Sequence, residues 1–481
     1  MNGSADPVRM EALIRELRGA MAEQGQRFKQ SQAEVALLKR QNAELRAQLA
    51  ERDVRIAALE RKLDQARQEA ARQAAPFRVP EKRRKAKPGR PGRKVGHAGV
   101  CRAVPDHVDE EIVVPLQRCP RCGGPVRDVQ KVEQYIEDLP PLGVHVTRLV
   151  THVGRCARCG RVRSVEPRQM SQAQGCAKVQ LGARALGLAA EMKHGLGIPY
   201  RKIARLLASL GMKVTAGALA QGMRRAAGRL REVYEGIGES IRAGPVVHAD
   251  ETSWYVGEPG WWLWVFCRPD ATYYVVERGR GSAVVDAVLG PDYGGTLVSD
   301  CLSSYDVIEC RKSKCMSHHL KALSKAQQDW ADRDEGVLEE LKVKLRTVIW
   351  LSRARSEMTP EQFAQGAAHL AGSINALLDE HGGGPLQKPL HRFVKHRAHL
   401  LRCLEDPRVE PTNNLAERQL RPAVVARKVS CGNRTERGTE SWQALTSVAA
   451  TCRQRGVSFA ELVARAMPIS APTPSLLTAA G

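Results

Sequence analysis

From residue 10 to residue 63, apolar side chains recur in one uninterrupted heptad register. The a positions are Ile14, Met21, Phe28, Val35, Asn42, Leu49, Ile56 and Leu63, and the d positions are Met10, Leu17, Gln24, Ser31, Leu38, Leu45, Arg52 and Leu59. Twelve of these sixteen are apolar, no proline interrupts, and Glu and Arg crowd the flanks, so a coiled coil is predicted ahead of a lone amphipathic helix packed on its own protein. Asn42 at an a position favours an in-register parallel dimer at some cost in stability. Residues 181–235 read as helices. From residue 246 the period becomes that of strands, at 246–255, 261–267 and 272–277 with Gly-rich turns, then a helix at 282–289 and a strand at 295–300. Residues 335–404 are helical in pattern and read as an insertion ahead of a last helix carrying Glu417.

Composition changes this picture in one direction. The chain has 481 residues, enough for several domains, and a formal charge of +23 that fits a polyanionic partner, nucleic acid before membrane. No apolar stretch is long enough to span a bilayer and the first residues carry no secretory signal, which predicts a cytoplasmic protein. Residues 82–94 hold eight basic side chains and no acid, and their Pro and Gly forbid a regular element. Gly89-Arg90-Pro91 with its basic flanks resembles an AT-hook, in which Arg90, Arg93 and Lys94 would contact DNA. A solvated linker touching phosphates is the other reading, and both stay open. Tyr200–Leu207, a turn at Leu210-Gly211-Met212, and a helix capped by Thr215 resemble a helix-turn-helix whose Gln221, Arg224 and Arg225 would face the groove or the phosphates.

Thirteen cysteines in a cytosolic chain suggest metal sites and buried thiols rather than disulfides. Cys119-Pro-Arg-Cys122-Gly and Cys156-Ala-Arg-Cys159-Gly are matching knuckles that together suit one structural, four-thiolate zinc. Strands at 134–137 and 144–150 are expected to bring them together. Two aspartates end β-branched runs, Asp250 after Val246-Val247-His248-Ala249 and Asp300 after Thr296-Leu297-Val298-Ser299. With Glu417 they offer hard oxygen ligands from three distant elements, as a pair of Mg²⁺ ions requires. Strand alternation puts Asp250 and Glu251 on opposite faces, so only one can join the set, and Asp250 is chosen. Glu417 also fits a capping box with Asn414, three residues earlier. Its basic neighbours Arg418, Arg421, Arg427, Lys428 and Arg434 favour a surface facing DNA.

Three antiparallel strands, a helix and a further strand are similar to the opening of the RNase H-like fold. The stretches His248-Ala249-Asp250-Glu251-Thr252, Ser299-Asp300 with Tyr305, and Asn413-Asn414-x-Ala416-Glu417-Arg418-x-x-Arg421-Pro422 resemble the transposases of the bacterial insertion-sequence family sixty-six. The likeness continues through Arg427-Lys428, Gly432-x-Arg434 and Thr451-Cys452-Arg453-Gln454-x-Gly456, and covers the zipper-like start and the knuckles. It implies that Asp250, Asp300 and Glu417 are a DDE triad using Mg²⁺, with Mn²⁺ as a substitute. It also implies terminal inverted repeats and target DNA as partners, a homodimer or higher homo-oligomer at the nucleoid, and leaves room for accessory proteins encoded by the same element. Cys315-Met-Ser-His318 resembles the family's Cys-x-x-His, but Leu320 and Lys321 depart from it; metal binding is one reading, and a buried thiol with a capping histidine is preferred to it.

The expected protein is therefore multidomain α+β. A coiled coil (1–75) and a basic AT-hook-like linker (76–100) precede a Cys₄ zinc-binding module (101–170) and a helix-turn-helix-like segment (171–240). An RNase H-like core in two parts (241–330 and 409–468) holds a helical insertion (331–408), and a disordered tail (469–481) ends the chain. Two other functions compete with transposition. A catalytically silent DNA-binding regulator derived from a transposase would not need the intact acids, and an RNase H-type nuclease would not need a zipper.

Overall fold

The computed structural model divides into two units, residues 1–117 and 118–481. It describes residues 104–118, 120–125, 127–136, 143–170, 179–330, 336–472, 474 and 476, together with sixteen positions between Gly19 and Leu59. In the first unit those sixteen positions are all helical. Leu38, Leu45, Leu49, Ile56 and Leu59 of the heptad seam are each 54–59% exposed. The remaining heptad positions except Arg52, and the basic linker with Arg90, Arg93 and Lys94, lie outside the described residues.

The second unit opens with a small hairpin, β1 (Val153–Cys156) and β2 (Gly160–Arg163), antiparallel around the second knuckle. Gly160 has φ +72° and Gly123, after the first knuckle, has φ +73°, a conformation that glycine enters without the steric cost other residues meet. This corrects the expected strands: residues 134–136 and 144–150 form none. Their apolar side chains, Ile136 at 91% and Val146 at 83% exposure, face no core that could hold a sheet together.

Four helices follow: α1 (Ala183–Ala190), α2 (Tyr200–Ser209), α3 (Ala216–Arg229) and α4 (Arg231–Arg242), with a π-turn at Glu191–Gly195. Thr215 caps α3, its hydroxyl accepting from the Ala218 N–H at 3.1 Å. Then come β3 (Val246–Val256), β4 (Glu258–Arg268), β5 (Ala271–Arg278), α5 (Ala283–Leu289), β6 (Thr296–Ser299) and β7 (Arg311–Lys314). They build one mixed sheet in the order β5-β4-β3-β6-β7, antiparallel through β3 and parallel beyond it.

Strand alternation gives the sheet two buried faces. On one, Val247, Ala249, Trp264 and Phe266 pack with Leu186, Leu219, Met223 and Ile237 from the preceding helices. On the other, Leu263, Val265, Cys267 and Tyr274 pack with Ala416, Leu420 and Ala423 of α12 (Asn414–Ser430). The helix α13 (Glu436–Gln454) covers the β5 edge. Its Gln443, Ser447 and Thr451 accept hydrogen bonds from the N–H groups of Val276, Tyr274 and Thr272, at 2.9–3.1 Å. Four residues of helix rise about as far as two of strand, about 6–7 Å, so a row at i, i+4, i+8 matches alternate edge amides and blunts the edge.

Between β7 and α12 lie α6 (Met316–Asp329), α7 (Val337–Ala354), α8 (Pro360–His381), α9 (Gln387–Lys395), α10 (Arg397–Leu400) and α11 (Arg402–Glu405). Leu338, Leu341, Leu345 and Val348 of α7 pack on Leu370, Ile374 and Leu377 of α8 in a separate core. Thr359 and Gln362 form a reciprocal capping box at the start of α8. After α14 (Phe459–Ala466) the chain end is not a free tail as far as it is described. Leu476 is buried against the core, the Arg455 guanidinium donates to its carbonyl at 3.1 Å, and the Ile469 N–H donates to Gln169. One apolar anchor and these carbonyl contacts hold Ile469 and Leu476 within the stretch expected to be disordered; residues 473, 475 and 477–481 lie outside the described residues.

Candidate active site

Register determines which acids meet. The parallel pair β3–β6 aligns His248 with Val298, and continuing two residues carries Asp250 and Asp300 to the same end of neighbouring strands. In the antiparallel pair Asp250 stands opposite Val265 and Glu251 opposite Trp264. Asp250 therefore shares the sheet face covered by α12, and Glu251 turns to the other. There the Glu251 carboxylate accepts from Arg280 Nε at 3.0 Å and from the Tyr305 hydroxyl, and Arg280 lies over the Trp262 ring at 4.6 Å.

The third acid is brought in by a buried clasp. Asn413 is fully buried; its amide nitrogen donates to the Ala249 carbonyl at 2.7 Å, and its amide oxygen meets His248 Nδ1 at 3.1 Å. That orientation makes His248 the donor through Nδ1, and burial holds its pKa down. The Asn413 N–H in turn points to Cys315 Sγ at 3.2 Å, and the Cys315 N–H donates to Ser299 beside Asp300. One residue thus ties the start of α12 to both aspartate strands. Helix α12 begins at Asn414, so Glu417 sits beyond the capping-box position and its carboxylate forms no hydrogen bond among the described residues.

Electrostatics record the crowding. Burial pushes the Asp250 carboxyl up to about 7, the charge of Glu251 adds to this, and Asp300 and Glu417 add further; the Glu251 N–H, 2.9 Å from Oδ1, pulls the other way. A partly buried group of oxygen donors whose charges oppose one another suits a divalent cation, which would relieve that repulsion. Cys315 and His318 adjoin the same acids. Burial would raise the Cys315 thiol, but the His318 ring beside it and the Asn413 N–H bring it below its ordinary range, while the sulfur raises His318. The thiol is buried as the sequence suggests; the histidine is not a helix cap, since Cys315 occupies that place and makes no side-chain cap bond.

Gln221, Arg224 and Arg225 line the exposed side of α3, and Arg418, Arg421, Lys428 and Arg434 are exposed on and after α12. Arg427 differs: its half-buried guanidinium donates to Ser253 Oγ at 2.9 Å and Thr252 Oγ1 at 3.1 Å, clamping α12 along β3. The chain then turns through Gly432, at φ +82°, where any Cβ would lie 2.5 Å from the Tyr255 carbonyl. In the knuckles Cys122 and Cys159 are exposed, and the Cys159 and Arg158 N–H groups lower the Cys156 thiol. Cys119 lies outside the described residues. Among the described residues no helix is long and apolar enough to cross a membrane.

The clasp residue Asn413 and the strap Arg427 were visible in the sequence only as members of longer motifs; their partners are some 160 to 180 residues distant. The profile of the Transposase IS66 family matches residues 178–441, a span that contains Asp250, Asp300 and Glu417. Two relatives come from Sinorhizobium fredii (strain NBRC 101917 / NGR234). The uncharacterized protein y4qI is 26% identical over 318 residues, covering 57% of this chain and 57% of that protein. The uncharacterized protein y4hP is 24% identical over 415 residues, covering 75% of this chain and 73% of that protein.

Proposed function

The chain belongs to the IS66 family of transposases, and on that premise we propose that it cuts the ends of an insertion sequence and joins them to target DNA. Asp250, Asp300 and Glu417 are the metal-holding acids. The observation that carries this reading is their convergence from β3, the end of β6 and α12, with the charges of Asp300 and Glu417 both felt at Asp250. The strand order β5-β4-β3-β6-β7, with the acids at adjacent strand ends, supports an RNase H-like core.

When bound, a pair of Mg²⁺ ions would supply activation of the attacking oxygen and stabilisation of the leaving oxygen. The protein's own part is positional. The Asn413 clasp and the Arg427 strap hold Glu417 against the aspartates, and Arg280 with Tyr305 keeps Glu251 out of the set. Water displaces the 3′ oxygen at the element end to free a 3′-hydroxyl. That hydroxyl then displaces a target-strand oxygen by the same in-line route, so one acid set serves both steps. The exposed basic side chains of α3 and α12 would hold the DNA backbone, the exposed heptad leucines support pairing of two chains, and Cys119, Cys122, Cys156 and Cys159 would hold a structural zinc.

The test is purified full-length protein with Mg²⁺, labelled element ends and a target plasmid, analysed for nicks and joined products. Asp250→Asn, Asp300→Asn and Glu417→Gln should each abolish both products and leave end binding almost intact. Mn²⁺ should replace Mg²⁺, and Ca²⁺ should support binding without turnover. End binding by the wild-type protein with no cleavage in either active metal would favour the silent regulator. Substantial cleavage by Glu417→Gln would move the third ligand elsewhere.

A further inference from the structure

We propose that Cys315, His318 and Glu417 form a second metal site, of soft-donor type, that takes a zinc-class ion and competes with the aspartates for Glu417. One ligand atom from each lies within 4.8 Å of the other two. His318 Nδ1 is sealed from solvent and meets no hydrogen-bond partner, an arrangement that leaves a buried polar atom unsatisfied. Cys315 is fully buried, with the Asn413 N–H aimed at its sulfur from 3.2 Å, as an outer hydrogen bond to a metal-bound thiolate would be. Tetrahedral zinc with such donors needs ligand atoms about 3.3–3.8 Å apart, so the three must close by only about 1 Å.

Donor chemistry separates the two sites. Sulfur and imidazole select zinc or its neighbours over magnesium, whereas Asp250 and Asp300 offer only hard oxygens. Three protein ligands leave a fourth position open. Glu417, on the first turns of α12, is the single donor common to both sets, and its side chain cannot serve both fully. Zinc captured by Cys315 and His318 therefore withdraws Glu417 from the cleavage site. The functional consequence rests on the proposed role of Glu417; the binding itself does not.

Chelator-stripped full-length protein, titrated with Co²⁺ in magnesium-free buffer, tests the site through thiolate–cobalt absorption. Counted in the thiolate band, to which the oxygen-only acids do not contribute, the wild-type chain should show two equivalents, one at the knuckles and one here. Cys315→Ser and His318→Gln should each lose one, while Cys159→Ser should lose only the other. Because Cys315 is buried and its variant can misfold, His318→Gln decides independently. Unchanged uptake and spectrum in His318→Gln overturn the site. In the cleavage assay, added Zn²⁺ should suppress the Mg²⁺ reaction of wild-type protein and spare His318→Gln; equal suppression of both overturns the competition. If no cleavage occurs in Mg²⁺ at all, the transposase reading fails and the cobalt count still decides this site.

Discussion

Asp250→Asn should stabilise the metal-free protein even as it abolishes cleavage. The wild-type carboxyl titrates near 7 when folded, against 3.8 as its ordinary value, chiefly through burial and the charges of Glu251, Asp300 and Glu417. The folded chain thus retains a proton that the unfolded chain releases. Its contribution is fully present below about pH 4 and is lost as pH rises through about 7. That rise corresponds to at most about 4 kcal/mol, and with partial solvent access and side-chain relaxation about 1–3 kcal/mol is expected at pH 8. Asparagine removes the charge yet keeps an oxygen for the Glu251 N–H. Urea unfolding in chelator should show the variant more stable at pH 8, with the advantage reduced to about a quarter at pH 4.5. Mg²⁺ should narrow the gap by binding the wild-type acids. A variant less stable than wild type at pH 8 without metal, or a gap that does not move with pH, would falsify the electrostatic argument.

Three further outcomes follow from other parts of the chain. Asn413→Ala should cost about 2–3 kcal/mol by leaving the Ala249 carbonyl and His248 unpaired in the interior, and should lower cleavage far more than end binding; equal loss of both in a folded variant would contradict the clasp. Cys122→Ser should lose stoichiometric zinc and specific end binding together, since structural zinc supplies the folding energy of small modules; a wild-type protein free of zinc by metal analysis refutes the assignment. Deleting residues 10–63 should leave a folded core that binds one end and pairs two ends poorly, and an unchanged solution mass with full end-pairing would sink the zipper.

What the chain states locally, it states well. The strand and helix pattern from 246 to 300, the Thr215 cap and the helical run after residue 335 all depend on periodicity and capping within a few residues, and each is found close to its expected bounds. Transposase family membership was legible too, because its motifs are local strings. Strand β7 was not legible. It reads Arg311-Lys312-Ser313-Lys314, which no hydrophobic pattern marks as buried, yet Lys314 is wholly enclosed. A 2.9 Å ion pair with Asp306 compensates its charge, and Asp306 pairs with Lys395 as well. The strands expected between the knuckles failed for the opposite reason: alternation was present but nothing lay beneath it to bury. The acids show the same division. Alternation alone separated Asp250 from Glu251, whereas which of the two faces α12, and the tie that brings Glu417 to that face through Asn413, depend on the packed structure. Short-range pattern reports what a segment prefers; which distant groups neutralise a buried charge or complete a site is decided only when the chain closes on itself.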